Sequence, residues 1–148
     1  VFTGDFEDIN KGLTTAQAFI DQGADVILPV AGQVGEGAAR AALDSGTASI
    51  IWVDSDGYDT LSPDFRPVLL TSVLKNTGSA VVEIVKTSID DTFDNAPFIG
   101  TLENGGVGIA PFHDLAPRVS AELSAEIDQL RSDIVAGTIV VTSPSTPR

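Results

Sequence analysis

The sequence predicts an α/β fold built on a largely parallel sheet, and three observations carry that expectation. Its apolar pattern switches repeatedly between short solid runs and helical spacing, as strands alternating with helices do. Glycines and polar turns close most of the apolar segments. The 148 residues are 43% hydrophobic and 20% charged, and no apolar run approaches the roughly 18 residues of a membrane span, so the chain can build a core as one domain or as part of a larger one.

Val1 to Thr3 reads as the end of a strand. Lys11 to Gln22 places Leu13, Ala16, Phe19 and Ile20 on one helical face and stops at Gly23. Asp25 to Val30 reads as a buried strand, Ala31 to Gly37 as a glycine-bearing turn, Ala38 to Leu43 as a helix ending near Gly46, and Ser49 to Asp54 as a third strand. Ser55 to Pro67 is polar and turn-rich. A strand follows at Val68 to Val73, then a helix at Gly78 to Phe93 with Val81, Val82, Val85, Ile89 and Phe93 at helical intervals. Phe98 to Leu102 and Val107 to Ala110 flank Glu103-Asn104-Gly105-Gly106, which suggests a hairpin or a strand broken at a crossing between lobes. Val119, Leu123, Ile127, Leu130 and Ile134 form an amphipathic stripe ending at Gly137. A short strand, Thr138 to Val141, and a flexible tail, Ser143 to Arg148, complete the expectation.

With 8 basic and 21 acidic residues the formal charge is −13, which repels phosphate and sets nucleic acid aside as a partner. The absence of cysteine removes disulfides, thiolate metal sites and Cys nucleophiles, while leaving the redox compartment open. The chain starts at Val1 and has no Met, so a mature or cleaved product is expected.

Gly32, Gly35 and Gly37 follow a strand and precede a helix, where an anion can bind. Their order, G-x-x-G-x-G, is not that of a dinucleotide fingerprint, and Glu36 would set a carboxylate beside a phosphate. Either a neutral ligand or a purely structural turn fits. The sharpest pattern is Ile50-Ile51-Trp52-Val53-Asp54-Ser55-Asp56-Gly57, an apolar strand ending in two acids, because ligands of open α/β sheets collect at the carboxyl ends of strands. This segment resembles a haloacid-dehalogenase-type phosphatase, with Asp54 as nucleophile, Asp56 as general acid, Ser72 on the phosphate and Lys75 as charge stabiliser. The spacing opposes it. Only a short loop separates Asp56 from Ser72, and the late acidic pair is matched only by Asp90-Asp91 on a helix. A binding reading needs less: Asp54 accepts from vicinal hydroxyls, Lys75 donates, and Phe6, flanked by Asp5 and Asp8, offers a flat face to a ring. The single histidine, His113, reads as structural, and Trp52 as core or pocket wall; no metal and no cofactor is expected.

Taken together, Phe6-Glu7-Asp8 with Lys11-Gly12, Gln22-Gly23-Ala24-Asp25-Val26-Ile27, Val30-Ala31-Gly32 with Gly35, Val53-Asp54-Ser55-Asp56, Leu70-Thr71-Ser72-Val73-Leu74-Lys75 and Gly105-Gly106-Val107-Gly108 resemble the basic membrane protein family. These are purine-nucleoside-receptor-type substrate-binding lipoproteins of bacterial ABC importers, and the order of motifs matches over almost the whole chain.

The resemblance implies a type I periplasmic-binding-protein-like lobe, with residues 1–142 forming the carboxy-terminal lobe plus inter-lobe crossing segments and the amino-terminal lobe, lipid-bearing Cys and signal peptide missing. It implies a purine nucleoside closed between two lobes, with Phe6 stacking on the base, Asp8 in the same loop, Gly32 lying against the ligand, and Asp54 and Lys75 holding the ribose. An ABC transporter permease and the missing amino-terminal lobe are the implied partners, in an extracytoplasmic, membrane-anchored setting. Two residues depart from the family pattern: Trp52 stands where Gly is usual, and Gly57 where Gln is usual. The expectation is therefore a binding protein rather than an enzyme, with the phosphatase and the ligand-sensing domain of a regulator as alternatives.

Overall fold

The computed structural model describes residues 1–144. The described chain divides into two compact units, one of residues 1–74 and 109–118, the other of residues 75–108 and 119–144. The candidate residues Phe6, Asp8, Gly32 and Asp54 belong to the first; Lys75 opens the second.

In the first unit, helix α1 (Ile9–Asp21) starts where the Asp8 side chain accepts the Asn10 N–H, and ends before Gly23 at φ 95°. Strand β1 (Val26–Ile27) follows, then α2 (Val34–Ser45), closed by left-handed Gly46. Strand β2 (Ser49–Asp54) leads to the short helix α3 (Gly57–Thr60), a 3₁₀ turn (Pro63–Val68) and strand β3 (Leu69–Lys75). β1, β2 and β3 are parallel, with Val26 opposite Ser49 and Asp54 opposite Leu74. Strand β4 (Val107–Ile109) begins in the second unit and ends in the first, where a second 3₁₀ turn (His113–Arg118) follows. Among the described residues the sheet order is β1-β2-β3-β4, so β1 is an edge. The largely parallel α/β sheet expected from the sequence is present.

The core is small-residue packing: Ala16 from α1 and Ala38, Ala39, Ala41 and Ala42 from α2 meet Ile50, Trp52 and Leu69 of the sheet. Glycines let α1 and α2 approach backbone to backbone. A Cβ at Gly12 would overlap the Val34 carbonyl, and one at Gly37 would overlap the Ile9 carbonyl. Thus α2 begins four residues earlier than the sequence pattern predicts, because Gly35 and Gly37 are helical packing positions rather than turn residues.

Other expectations are corrected. β1 is two residues long and not buried: Val26 is 44% exposed, since only its β2 side is paired. Val1 to Thr3 forms no strand. In the second unit, α4 (Thr77–Ile89) and α5 (Ala121–Val135) occupy the expected helical segments, α5 starting where Ser120 Oγ accepts the Leu123 N–H. Neither helix contains a buried residue. Phe98 to Leu102 is not a strand: the Asn104 side chain accepts the N–H groups of Thr101 and Gly106 and donates to the Ile99 carbonyl, turning the chain locally. Thr138 to Val141 is not a strand either, because the N–H groups of Thr138 and Ile139 both donate to the Asp133 carbonyl at the end of α5. Most of the tail expected at 143–148 lies outside the described residues.

Candidate functional site

Parallel strands deliver their carboxyl ends to one side of a sheet, and the loops there are where a site is sought. Phe6 sits in the loop entering α1. That loop is an Asx turn: Asp5 Oδ1 accepts the N–H groups of Glu7 at 2.8 Å and Asp8 at 3.0 Å, and Oδ2 pairs with Lys11 Nζ at 3.0 Å. These donors, the backbone of Glu7 first, hold the Asp5 carboxyl well below the usual carboxylate range, and the same pair raises the Lys11 ammonium. The turn presents Phe6, a residue 72% exposed.

Gly32 lies against it. The Val34 N–H donates to the Phe6 carbonyl at 3.3 Å, and a Cβ at Gly32 would stand 3.1 Å from that oxygen. Gly32 is left-handed, φ 58°, so the position calls for glycine twice over, by conformation and by space. The structure therefore brings Phe6 and Gly32 together. Asp8 caps α1 in the same loop, with Oδ1 engaged by the Asn10 N–H at 3.0 Å.

Asp54 ends β2 as an exposed residue with φ 70°, a conformation sparsely used outside glycine. A left-handed residue at a strand end turns its side chain out of the alternation of the strand, and such backbone strain concentrates at functional positions. Lys75 is the exposed last residue of β3, one beyond the Leu74 that faces Asp54 across the ladder.

Two residues on from Asp54, Asp56 has a different role. Its Oδ1 accepts the Tyr58 N–H at 3.1 Å and caps α3, the Ser72 hydroxyl donates to it at 3.4 Å, and its Oδ2 lies 2.7 Å from His113 Nε2. Ser72 is fully buried and its Oγ accepts the Gly57 N–H at 3.0 Å. The phosphatase roles considered for Asp56 and Ser72 thus fall on groups already engaged inside the fold. Asp90 caps the end of α4 and Asp91 follows it, so neither stands at a strand end.

An apolar cavity of about 330 Å³ is bordered by Phe2, Phe6, Phe19, Leu28, Val30 and Val34. Asp54 and Lys75 do not line it, so it is not where those polar groups would meet a ligand. Among the described residues no cluster of three or more His, Asp or Glu could hold a metal ion, and no helix is long and apolar enough to cross a membrane.

Sequence reasoning read His113 as structural and left out Tyr58 and Arg66. The His113 ring stacks on Tyr58, centroids 4.1 Å apart, and the Arg66 guanidinium lies 4.3 Å from the Tyr58 ring centre. His113 stands in Pro111-Phe112-His113-Asp114, but its partner lies 57 residues upstream, beyond any local pattern.

The first unit thus combines a parallel sheet, an exposed aromatic beside a glycine turn and a left-handed acid at a strand end. Solved structures agree on the fold. The chain superposes on an ABC transporter solute-binding protein from Aeropyrum pernix K1 with a TM-score of 0.79 at 22% identity, covering 98% of this chain and 47% of that one. A transcriptional activator of the comK gene from Bacillus halodurans gives a TM-score of 0.76 at 19% identity, covering 94% and 46%. An ABC transporter solute-binding protein from Conexibacter woesei gives 0.75 at 20% identity, covering 96% and 45%.

The chain belongs to the Bmp family, described as ABC transporter substrate-binding protein PnrA-like, whose model matches residues 1–145. Basic membrane protein A of Borreliella burgdorferi is 32% identical over 146 residues, 96% of this chain and 41% of that protein. Basic membrane protein A1 of Borrelia garinii subsp. bavariensis is 31% identical over 144 residues, 95% and 40%. The chain spans about 40% of the length of these relatives.

Proposed function

We propose that this chain is the carboxy-terminal lobe, with inter-lobe crossing segments, of an extracytoplasmic lipoprotein that binds a purine nucleoside between two lobes and delivers it to an ABC transporter permease. The observation that carries this reading is the Phe6–Gly32 contact on the same strand-end side of a parallel sheet that carries left-handed Asp54. In this reading Phe6 stacks on the base, with Asp8 adding a carboxylate beside the ring. Gly32 lets the backbone approach the ligand, Asp54 accepts from the sugar hydroxyls and Lys75 donates to them. The other lobe of the parent protein supplies the remaining contacts and excludes water. Membership of a family of substrate-binding proteins supports binding over turnover.

The net charge of −13 and Glu36, in the first turn of α2, favour a neutral ligand over a phosphorylated one. Calorimetry on the full-length parent with inosine, guanosine and their monophosphates tests the reading. Nucleosides are expected to bind and monophosphates to bind more weakly; equal or tighter binding of the monophosphates, or no binding of either nucleoside, overturns it.

A further inference from the structure

The return segment from Ala110 to Arg118 is fastened at both ends. The Ala110 N–H donates to the Ser72 carbonyl at 2.9 Å, the Thr71 hydroxyl donates to the Ala110 carbonyl at 2.7 Å, and Arg118 Nη1 donates to Ser49 Oγ at 3.1 Å. Between these anchors His113 takes φ 41°, a left-handed conformation for a residue with a Cβ. That backbone turns the ring toward the loop after β2, where Nε2 meets Asp56 Oδ2 and the ring lies nearly parallel to Tyr58, at 14°.

The charged and titratable groups around His113 come from each side. Asp56 and Tyr58 lie on the loop and helix after β2, Asp114 is its own neighbour, and Arg66 reaches the Tyr58 ring from the 3₁₀ turn. The Tyr58 hydroxyl donates to the Asp114 carboxylate at 3.1 and 3.2 Å, and the Arg66 Nε donates to the Tyr58 carbonyl at 3.3 Å. Burial first, and Asp114 second, push the Tyr58 phenol up, so it keeps its proton and remains a donor. The tautomer with its hydrogen on Nε2 makes His113 the donor in this short contact with the Asp56 carboxyl. Asp56 thereby collects donors from its own helix, from β3 and from the return segment, two residues after left-handed Asp54.

We propose that His113 is a positioning residue: by holding Asp56 it fixes the loop that follows β2 and so keeps Asp54 in the left-handed conformation in which it meets the ligand. The proposal rests on the reading of Asp54 as a ligand contact, and its test separates the two. In the full-length parent, His113→Phe keeps a ring against Tyr58 and removes the donor, while His113→Gln keeps a donor at the reach of Nε2 and removes the ring.

Loss of a hydrogen bond to a charged group predicts that His113→Phe weakens inosine binding about tenfold or more, with His113→Gln within about threefold of the native protein. Equal weakening by both variants, following their melting temperatures, would mean that His113 only stabilises the fold and overturns the proposal. Amide hydrogen exchange in the unliganded protein is read in parallel. Faster exchange at Ser55 to Tyr58 in His113→Phe but not in His113→Gln supports the positioning role even if the parent binds no nucleoside, a result that would remove only the ligand reading. Unchanged exchange in both removes the positioning role. Should His113→Phe fail to fold, Asp56→Asn, which retains a capping side chain while weakening the pair, is judged by the same two readouts.

Discussion

The Trp52 indole is clasped between two bare backbones, and its root rests on Gly57. A Cβ at residue 57 would stand 2.9 Å from both Cβ and Cγ of Trp52, while at the far end of the ring a Cβ at Gly35 would stand 2.8 Å from Cζ3. Both departures from the family pattern noted in the sequence are therefore one feature. A tryptophan at 52 fills the space that a side chain at 57 would need, and it does so inside the core, where it is 9% exposed.

Coupling between these positions is the first prediction. Gly57→Ala should cost about 1–3 kcal/mol, as overpacking does, because the atoms it meets lie at the stiff root of the indole. In a Trp52→Ala background the same change should cost much less, giving a coupling energy within the roughly 0.5–3 kcal/mol seen for touching residues. Urea denaturation of the four proteins of the cycle measures it. Equal costs in the two backgrounds would show that the two residues are independent.

Helix packing gives the second. Gly37→Ala should cost about 3 kcal/mol or more, because the new Cβ meets the backbone of Ile9 and Leu13, which cannot turn aside. Gly4→Ala has no atom within 4 Å to meet and should cost only the roughly 1 kcal/mol of a left-handed backbone, φ 71°. A Gly37→Ala protein as stable as Gly4→Ala would refute the close approach of α1 and α2.

These glycines show where the sequence was legible and where it was not. Ser49 to Asp54 was read with its bounds intact, because a solid apolar run ending in Asp carries its own limits. Gly35 and Gly37 misled, since a glycine needed for packing looks the same in sequence as one needed for a turn; only Gly32 of the three has a positive φ. The segments 98–102 and 138–141 have strand-like composition, but the Asn104 side chain and the Asp133 carbonyl claim their backbone donors first. Gly32, Asp54 and Lys75 stand at or just after strand ends, and Phe6 in the loop entering α1, places that follow from the alternation of elements. The link between His113 and Asp56 is purely tertiary and left no local trace.

Acid resistance of the Phe6 loop is the third prediction. The folded-state pKa of Asp5 lies below its unfolded value, so its contribution is present above about pH 4 and is lost only as the pH falls through the lower folded value. The turn should therefore stay intact at pH 4. The Asp5 carboxyl followed by NMR should show no inflection between about pH 3 and 5, where ordinary carboxylates titrate. Lys11→Ala should raise its pKa only in part, because the amides of Glu7 and Asp8 act first. An inflection near pH 4 in the native protein would contradict the Asx-turn geometry.

Removing the proposed ligand contacts one at a time should separate base from sugar. In the full-length parent, Phe6→Ala should weaken nucleoside binding by about 1–3 kcal/mol, the usual worth of an aromatic face to a stacked base. It should barely change the melting temperature, because the residue is mostly exposed. Asp54 needs a substitution that tolerates its φ of 70°; asparagine does so, whereas alanine adds backbone strain of about 1–2 kcal/mol. Asp54→Asn should therefore fold like the native protein and bind about 2–4 kcal/mol more weakly, since a charged acceptor for two hydroxyls becomes a neutral amide. The ligand decides the rest: 2′,3′-dideoxyinosine, which lacks those hydroxyls, should bind the native and Asp54→Asn proteins alike, while still losing affinity in Phe6→Ala. If Asp54→Asn weakens inosine and the dideoxy analogue equally, Asp54 does not meet the sugar, and the acid that does must be sought elsewhere in the cleft.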